Sequence, residues 1–336
     1  MGKRTTSANL WTHYLALTST SASSATVYTD KEAKLMRDIL ERVRAVNYMP
    51  TDIRDSLIDF RVDDSTLGKV RPQVAEMLCK VGAGIFELAE SGGKAFLTLT
   101  SSVGNSVDER SAAINRVMEQ LRADGVIRGW RGEVYPIGVS FYEPHKFVIE
   151  RAAVPWLGAI EYGVHVNGLV RTLSGETKMW IGRRAADKSK YPNMLDHIVA
   201  GGQPAGYSLM ENVIKECMEE AGIPKDVALA GVRPAGAISY ETYDPKKDIV
   251  TRAVLYNYDL YLSEDFVPQP VDGEVQNFML WSVEQVLEAM SMDYADPIKP
   301  NCYSVIIDWL LREGHLSPEV PGYLDVLREL RSGDCR

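Results

Sequence analysis

The hydrophobic and polar positions of the chain follow two periods, and the first part of the chain contains both. Apolar residues recur at three- and four-residue spacing, which predicts amphipathic helices, at residues 35–43, 74–81 and 112–121. Alternating or β-branched segments predict strands at residues 57–62 and 95–99, and a hairpin at residues 126–142. We therefore expect a small α+β domain over residues 30–150, after a flexible Ser/Thr-rich tail at residues 1–29.

From about residue 159 the pattern changes to strands with a few helices between them. Alternation and short apolar runs predict strands at residues 162–170, 178–182, 196–200, 250–262 and 275–281. Helical spacing returns at residues 208–221, 302–312 and 320–331. Strands interleaved with helices predict an α/β sandwich for residues 151–336.

Length and composition agree with two folded domains and restrict the partners. The 336 residues are too many for one small core, and 45% of them are hydrophobic and 25% charged. The net charge of −9 argues against general binding to nucleic acid or to an anionic membrane. No apolar run approaches the roughly 20 residues that a membrane-spanning helix needs. An anionic substrate must therefore be met by local cations or by metal ions.

The cysteines and the N-terminus bear on the compartment. The four cysteines lie far apart without a CxxC pair, which disfavours a zinc site built from them and suits a reducing compartment. The first 29 residues carry Lys3 and Arg4 and no acid before Asp30, which is weakly similar to an organellar transit peptide. Because only two basic residues are present, we predict a cytoplasmic protein, with an organellar location as the alternative.

Three glutamates of the predicted helix 208–221 carry the main chemical signal. Glu216, Glu219 and Glu220 stand at positions i, i+3 and i+4, so they share one helix face. Like charges at this spacing repel one another, and Lys215 alone cannot compensate three of them. Carboxylate oxygens suit Mg²⁺ or Mn²⁺, so we predict that these glutamates bind a divalent metal. For the triplet alone, the alternative is a solvated helix face.

The residues around the three glutamates predict a tight loop followed by a well-delimited helix. Gly201 and Gly202 follow a predicted strand and allow the backbone to turn sharply, and we expect both to lie against the substrate. Ser208 and Glu211 have the spacing of a capping box. Gly222 is a helix stop.

The whole segment resembles the Nudix box, G-x5-E-x7-R-E-U-x-E-E-x-G-U, in which U is apolar. The matching positions are Gly201, Glu216, Cys217, Glu219, Glu220, Gly222 and Ile223. Two positions depart, because the first glutamate of the pattern is Tyr207 here and its arginine is Lys215. Lysine cannot reproduce a bidentate arginine contact, so the departures bear on the rate of reaction. The metal-binding face itself is complete.

Five further segments resemble one Nudix subfamily, in which an N-terminal domain of unknown function, DUF4743, precedes the Nudix domain. They are residues 130–136, 150–152, 163–168, 272–275 and 299–301. This subfamily is similar to the N-terminal region of fungal thiamine pyrophosphokinase and to certain plant and yeast Nudix hydrolases. The resemblance implies a Nudix α/β/α sandwich and a Mg²⁺-dependent hydrolysis of a diphosphate. The implied substrate is thiamine diphosphate, especially its oxo- and oxy-forms, which would be cleaved to the monophosphate.

Further candidate residues lie outside the box. Glu274 falls in a predicted loop of the kind from which many Nudix enzymes take another metal ligand or a general base; the alternative is an exposed turn residue. Arg183, Arg184 and Lys188 form a basic cluster that would hold the diphosphate, arginine by forked hydrogen bonds; the alternative is a solvated basic turn. His165, in an alternating strand, is expected to be a half-buried structural histidine.

The predicted reaction uses Glu216, Glu219 and Glu274 as catalytic residues, one of which removes a proton from the attacking water. The N-terminal domain is expected to cap the pocket that holds a small-molecule diphosphate. Two alternatives stay open. One is hydrolysis of another nucleoside diphosphate derivative, such as ADP-ribose or 8-oxo-dGTP. The other is a catalytically silent binding module, which Tyr207 and Lys215 would favour. The oligomeric state, including a homodimer, is also left open.

Overall fold

The computed structural model describes residues 27–188 and 190–333, so residues 1–26 of the predicted tail lie outside the described part. The helices and strands of the first half are α1 (Asp30–Val46), α2 (Thr51–Ser56), β1 (Ile58–Val62), β2 (Ser65–Val70), α3 (Pro72–Val81), β3 (Phe86–Ser91), β4 (Lys94–Leu99), α4 (Val107–Ala123), β5 (Val134–Ile137) and β6 (Phe147–Glu150). Those of the second half are β7 (Ile160–Arg171), β8 (Thr177–Arg184), β9 (Leu195–Asp196), β10 (Val199–Gly202), α5 (Leu209–Ala221), α6 (Lys225–Gly231), β11 (Val232–Asp244), β12 (Ile249–Leu262), β13 (Val275–Ser282), α7 (Val283–Ala289), α8 (Pro300–Arg312) and α9 (Tyr323–Glu329). None of the described helices is both long and apolar enough to cross a membrane.

The N-terminal domain is built on a four-stranded sheet in the order β2-β1-β4-β3, with β1 and β4 parallel. Its core contains Phe60 from β1, Leu78 from α3 and Ile114 from α4, which are inaccessible to solvent. The β5–β6 hairpin packs beside α4 and contributes Phe147 to the same core. The hairpin is thereby anchored in the core of the N-terminal domain.

The C-terminal domain contains a seven-stranded sheet in the order β11-β12-β7-β8-β13, with β10 paired to β7 and β9 paired to β8. Val164 and Val166 of β7 pack toward α5, whereas Leu169 packs toward α8. The middle of β7 is buried on both faces because helices cover both sides of the sheet. The predicted α/β sandwich is therefore confirmed.

Helix α1 packs against the C-terminal helices, although it is the first element of the described chain. Its apolar residues Met36, Ile39 and Val43 belong to the same buried cluster as Trp309 and Leu310 of α8. The helix begins with a capping box at Thr29. The first helix thus covers one face of the second domain and ties the two halves of the chain together.

Several sequence-based predictions differ from the structure. The predicted hairpin at 126–142 is displaced, because β5 pairs with β6 across a connection of nine residues, 138–146, rather than a short turn. The segment predicted as one strand at 196–200 is divided into β9 and β10. Strand β11 was missed because Pro234 and Gly236, which disfavour a strand, lie at a shift in its register with β12. Five further elements were also missed: α2, β2, β3, α6 and α7.

Candidate active site

Helix α5 presents the predicted glutamates on a scaffold with both ends fixed. Ser208 and Glu211 form the expected capping box, in which the Ser208 N–H donates to the Glu211 carboxylate at 2.9 Å. Gly222 ends the helix in the left-handed conformation, with φ of 61°. The apolar side of the helix, including Val213 and Cys217, packs on the sheet. The predicted helix is confirmed almost to the residue.

Two of the three glutamates point into the protein. The residues Glu216 and Glu220 are only 8% and 7% exposed, whereas the Glu219 side chain is 51% exposed. The Glu220 carboxylate accepts the N–H of Ala200 in β10 at 2.9 Å. Glu216 lies against Gly201, where any Cβ would overlap the carboxyl group. Glycine at position 201 is therefore required by the approach of Glu216 to the loop.

The charge at this site is unbalanced within the protein. Burial raises the pKa of Glu216, and burial together with the charge of Glu216 raises the pKa of Glu220 well above its usual value. Lys215 is the nearest compensating cation, with its Nζ 3.1 Å from Glu216 and 2.9 Å from Glu219. One lysine faces three carboxylates, two of them buried. Hard oxygen donors with excess negative charge fit a divalent cation such as Mg²⁺ or Mn²⁺.

Glu274 is brought to the same site from the turn before β13. Its N–H donates to the Asp272 carboxylate at 2.8 Å, and Gly273 adopts a φ of 81°. The segment that leads to this turn is bound to the end of α5, where the Gln269 N–H donates to the Ala221 carbonyl at 3.0 Å. Burial and the charges of Glu216, Asp196 and Glu274 raise the pKa of Glu220. Burial opposes ionisation of Glu274, but the Lys188 ammonium at 2.5 Å outweighs it and lowers the pKa of Glu274.

The three predicted phosphate-binding cations all have carboxylate partners. The Arg183 guanidinium donates to Asp296 at 2.9 Å, and Arg184 donates to Asp196 at 2.7 Å. Lys188 is the partner of Glu274, as described above. The charges of all three are therefore already engaged. Their assignment to the diphosphate stays a prediction.

A buried polar cluster, which was not predicted from the sequence, lies on the α8 side of β7. The Nδ1 atoms of His165 and His197 are 3.1 Å apart, and the Cys302 thiol donates to Asp196 at 2.7 Å. His165 is 4% exposed, so it is more deeply buried than predicted. Burial lowers the pKa of His197 to about 4, which keeps its ring neutral.

The donor atoms of His165, His197 and Cys302 lie within 4.8 Å of one another, the spacing of a metal-binding group. Two cations flank the cluster through Asp196: Arg184 at 2.7 Å and Lys299 at 3.4 Å. Their positive charge opposes the binding of a further cation. The cluster is therefore described as a hydrogen-bonded core beside the glutamate site.

The N-terminal domain also reaches the site. The hydroxyl of Tyr135 in β5 lies against Gly202, where any Cβ would overlap it. Glu133 forms an ion pair with Arg151 at 2.7 Å, and the Arg151 guanidinium lies over the Tyr135 ring at 5.4 Å. These residues belong to the segments 130–136 and 150–152, which resemble the Nudix subfamily and for which no role was predicted.

Comparison with known proteins agrees with this division of the chain. A family described as domain of unknown function (DUF4743) matches residues 38–161, and the NUDIX domain family matches residues 162–302. Nudix hydrolase 24, chloroplastic, of Arabidopsis thaliana is 42% identical over 278 residues, which cover 83% of this chain and 73% of the relative. Nudix hydrolase 20, chloroplastic, of the same plant is 40% identical over 283 residues, covering 83% of this chain and 74% of the relative.

An uncharacterized protein of Saccharomyces cerevisiae is 35% identical over 237 residues, which cover 66% of this chain and 68% of that protein. Nudix enzymes generally use divalent metals such as Mg²⁺ or Mn²⁺, in agreement with the donor set on α5. The buried glutamates, the glycine loop and the similarity over most of the chain lead to one assignment: the chain belongs to the Nudix hydrolases, enzymes that cleave diphosphates, and carries a DUF4743 domain ahead of its Nudix domain.

Proposed function

We propose that this chain is a Mg²⁺- or Mn²⁺-dependent hydrolase that cleaves the diphosphate linkage of a small molecule. Glu216, Glu219 and Glu220 would hold the metal. The observation that carries the proposal is the pair of buried carboxylates, Glu216 and Glu220, which face the glycine loop with a single lysine nearby. Ionising two neighbouring buried carboxyl groups is unfavourable in free energy without a cation, and a bound divalent ion would offset this penalty.

The reaction needs an acceptor for the proton of the attacking water. When bound, the metal would supply positive charge to the phosphoryl oxygens and make the water easier to deprotonate. We assign proton acceptance to Glu274, because its ion pair with Lys188 keeps the carboxylate ionised. The water oxygen forms a bond to one phosphorus, the bridging P–O bond breaks, and a monophosphate and inorganic phosphate leave.

The first candidate substrate is thiamine diphosphate, together with its oxidised oxo- and oxy-forms. Its support is the resemblance of the subfamily segments to the N-terminal region of fungal thiamine pyrophosphokinase. A cleft beside the glycine loop is lined by the aromatic rings of Phe141, Tyr162 and Tyr207. Aromatic side chains of this kind can stack on a heterocyclic ring.

A substrate panel tests the proposal. The full chain, with Mg²⁺ or Mn²⁺, is incubated with thiamine diphosphate, oxothiamine diphosphate, ADP-ribose and 8-oxo-dGTP, and the products are identified. We expect thiamine monophosphate or oxothiamine monophosphate together with inorganic phosphate. Preferential turnover of ADP-ribose or 8-oxo-dGTP would make that compound the substrate in place of thiamine diphosphate. No metal-dependent product from any of the four would favour the catalytically silent module.

The metal-binding role is tested by substitution. Glu219→Gln should abolish turnover at saturating Mg²⁺, because one ligand charge is lost, while the circular dichroism spectrum stays native. Glu119→Gln, at an exposed position of α4, is the matched control and should keep wild-type activity. Retained turnover in the Glu219 variant would contradict the role of this helix face in metal binding.

The location of the protein and its assembly stay predictions. A cytoplasmic location is the first expectation and an organellar one the alternative; the names of the two plant relatives place those proteins in the chloroplast. Fractionation of cells that express the tagged full-length chain would distinguish the two. Sedimentation of the purified chain would decide whether it forms a homodimer.

A further inference from the structure

Strand β5 of the N-terminal domain contacts the glycine loop of the Nudix domain directly. The N–H of Ala205 in the loop donates to the carbonyl of Val134 at 3.0 Å. Next to this bond, the 5%-exposed Tyr135 places its hydroxyl on Gly202. The residues that begin β5 are thus bound to the loop between β10 and α5, the helix that carries Glu216.

The backbone just before β5 is also held in place. The carboxylate of Glu150, which is 2% exposed, accepts the N–H groups of Arg131 and Gly132, each at 2.9 Å. Gly132 adopts a φ of 74°, which lets the two N–H groups converge on one carboxylate. The Arg151 N–H donates to the carbonyl of Glu133 at 2.9 Å. Arg131 therefore stands on a rigid support at the domain boundary.

The side chain of Arg131 differs from the other nearby arginines. Arg183 and Arg184 are bound to carboxylates, whereas the exposed Arg131 guanidinium has no hydrogen bond or ion pair among the residues that the structure describes. Arg131 stands three residues before Val134, whose carbonyl accepts the N–H of Ala205 in the glycine loop, so its connection runs beside that loop. Burial opposes ionisation of Glu274, whereas the charges of Lys188 and then of Arg131 lower the pKa of that carboxyl.

We propose that Arg131, supplied by the N-terminal domain, binds a phosphoryl group of the diphosphate substrate at the glutamate site of the Nudix domain. This inference rests on the proposed function. A guanidinium offers forked donors that match phosphate oxygens, and a rigid support reduces the entropy lost on binding. The DUF4743 domain is thereby part of the substrate site and not only a cover for it.

Binding of a diphosphate that cannot be hydrolysed tests the proposal without relying on turnover. Calorimetry with methylenediphosphonate and Mg²⁺ compares the full-length wild type with Arg131→Gln. We expect binding to weaken by about tenfold or more, because a charged hydrogen bond to an anion is lost. Arg131→Lys should fall between the two, since lysine keeps the charge but not the fork.

Arg128→Gln is the matched control, because Arg128 is an exposed arginine three residues earlier on the same connection. It should bind methylenediphosphonate as tightly as the wild type. With the best substrate of the panel, Arg131→Gln should raise KM while kcat changes less, as expected for a binding residue.

Equal affinities of the wild type and Arg131→Gln, or no binding by the wild type, would overturn the inference. If the wild type binds methylenediphosphonate through Arg131 but turns over no substrate, the proposed function fails and the phosphate site stands. The two failures are therefore distinguishable.

Discussion

Glu216 and Glu220, the proposed metal ligands, are buried carboxyl groups, and their ionised forms are destabilised in the metal-free protein. Each carboxyl has a raised pKa, principally because it is buried, so the folded state holds protons more tightly than the unfolded state above pH 4.5. Their contribution to the free energy of unfolding therefore falls as the pH rises through this window. A divalent ion favours the ionised forms and works in the opposite direction.

The raised pKa values of Glu216 and Glu220 predict that metal binding depends on pH. The increase in melting temperature caused by saturating Mg²⁺ should be larger near pH 8 than near pH 6, since more carboxylates must lose protons on binding at the lower pH. Thermal unfolding at both pH values, with and without Mg²⁺, measures the effect. In Glu220→Gln the difference between the two pH values should shrink, whereas in Glu119→Gln it should match the wild type. A wild-type increase that is independent of pH would contradict this account.

For His197, the free energy of unfolding is expected to change with pH in the opposite direction. Its pKa is lowered from 6.5 to about 4 by burial, so the unfolded chain binds more protons than the folded protein between these values. The free energy of unfolding should therefore decrease as the pH falls through this window, by up to about 1.4 kcal/mol per pH unit from this residue. Urea unfolding at several pH values, with wild type and His197→Gln, isolates the contribution.

The free energy of unfolding of His197→Gln should depend less on pH than that of the wild type. His145→Gln, at an exposed position, is the control and should leave the dependence unchanged. Parallel curves for the wild type and His197→Gln would show that the His197 ring is not held neutral by its surroundings.

At the level of elements, local signals set the start of the principal helices. Capping boxes at Thr29, Ser106, Ser208 and Ser282 begin α1, α4, α5 and α7. Each box satisfies backbone N–H groups of the first turn, which have no partner inside the helix. Helix α5 could therefore be predicted from sequence with its correct ends, and its glutamates could be placed on it.

The caps give a matched pair of substitutions. Ser208→Ala and Ser106→Ala should each lower the free energy of unfolding by about 1 kcal/mol, because each removes one side-chain acceptor from a first turn. Denaturant unfolding measures both. Only the Ser208 variant should also weaken Mg²⁺ binding, because α5 carries the proposed metal ligands and α4 carries none of them. Equal metal affinities of the two variants would show that the position of Glu216 does not depend on the cap.

In the whole molecule, the two ends of the chain share one core. Ile39 of α1 is inaccessible to solvent among residues of α8 and α9, far away in sequence. Ile39→Ala should lower the free energy of unfolding by about 2–5 kcal/mol, since it leaves a cavity in this shared core. Ile53→Ala on α2, a helix without buried residues, should cost about 1 kcal/mol or less. Denaturant unfolding that gives similar losses for both would contradict a stabilising role for α1 in the C-terminal domain.

The sequence alone determined the elements whose signals are local. Hydrophobic spacing, caps and glycines fixed α5, and the spacing of Glu216, Glu219 and Glu220 placed them on that helix. It also predicted the α/β sandwich, because strands and helices alternate along the second half of the chain. Strand β11 could not be predicted in this way, since its pairing with β12 overrides the unfavourable residues within it.

The tertiary structure decided which charges are paired and which side chains meet at the site. Only the folded chain joins Lys188 to Glu274, engages Arg183 with Asp296 and lays Tyr135 on Gly202. These contacts link segments that are distant in sequence. Their formation depends on how the two domains and their loops pack, which no local period or spacing encodes.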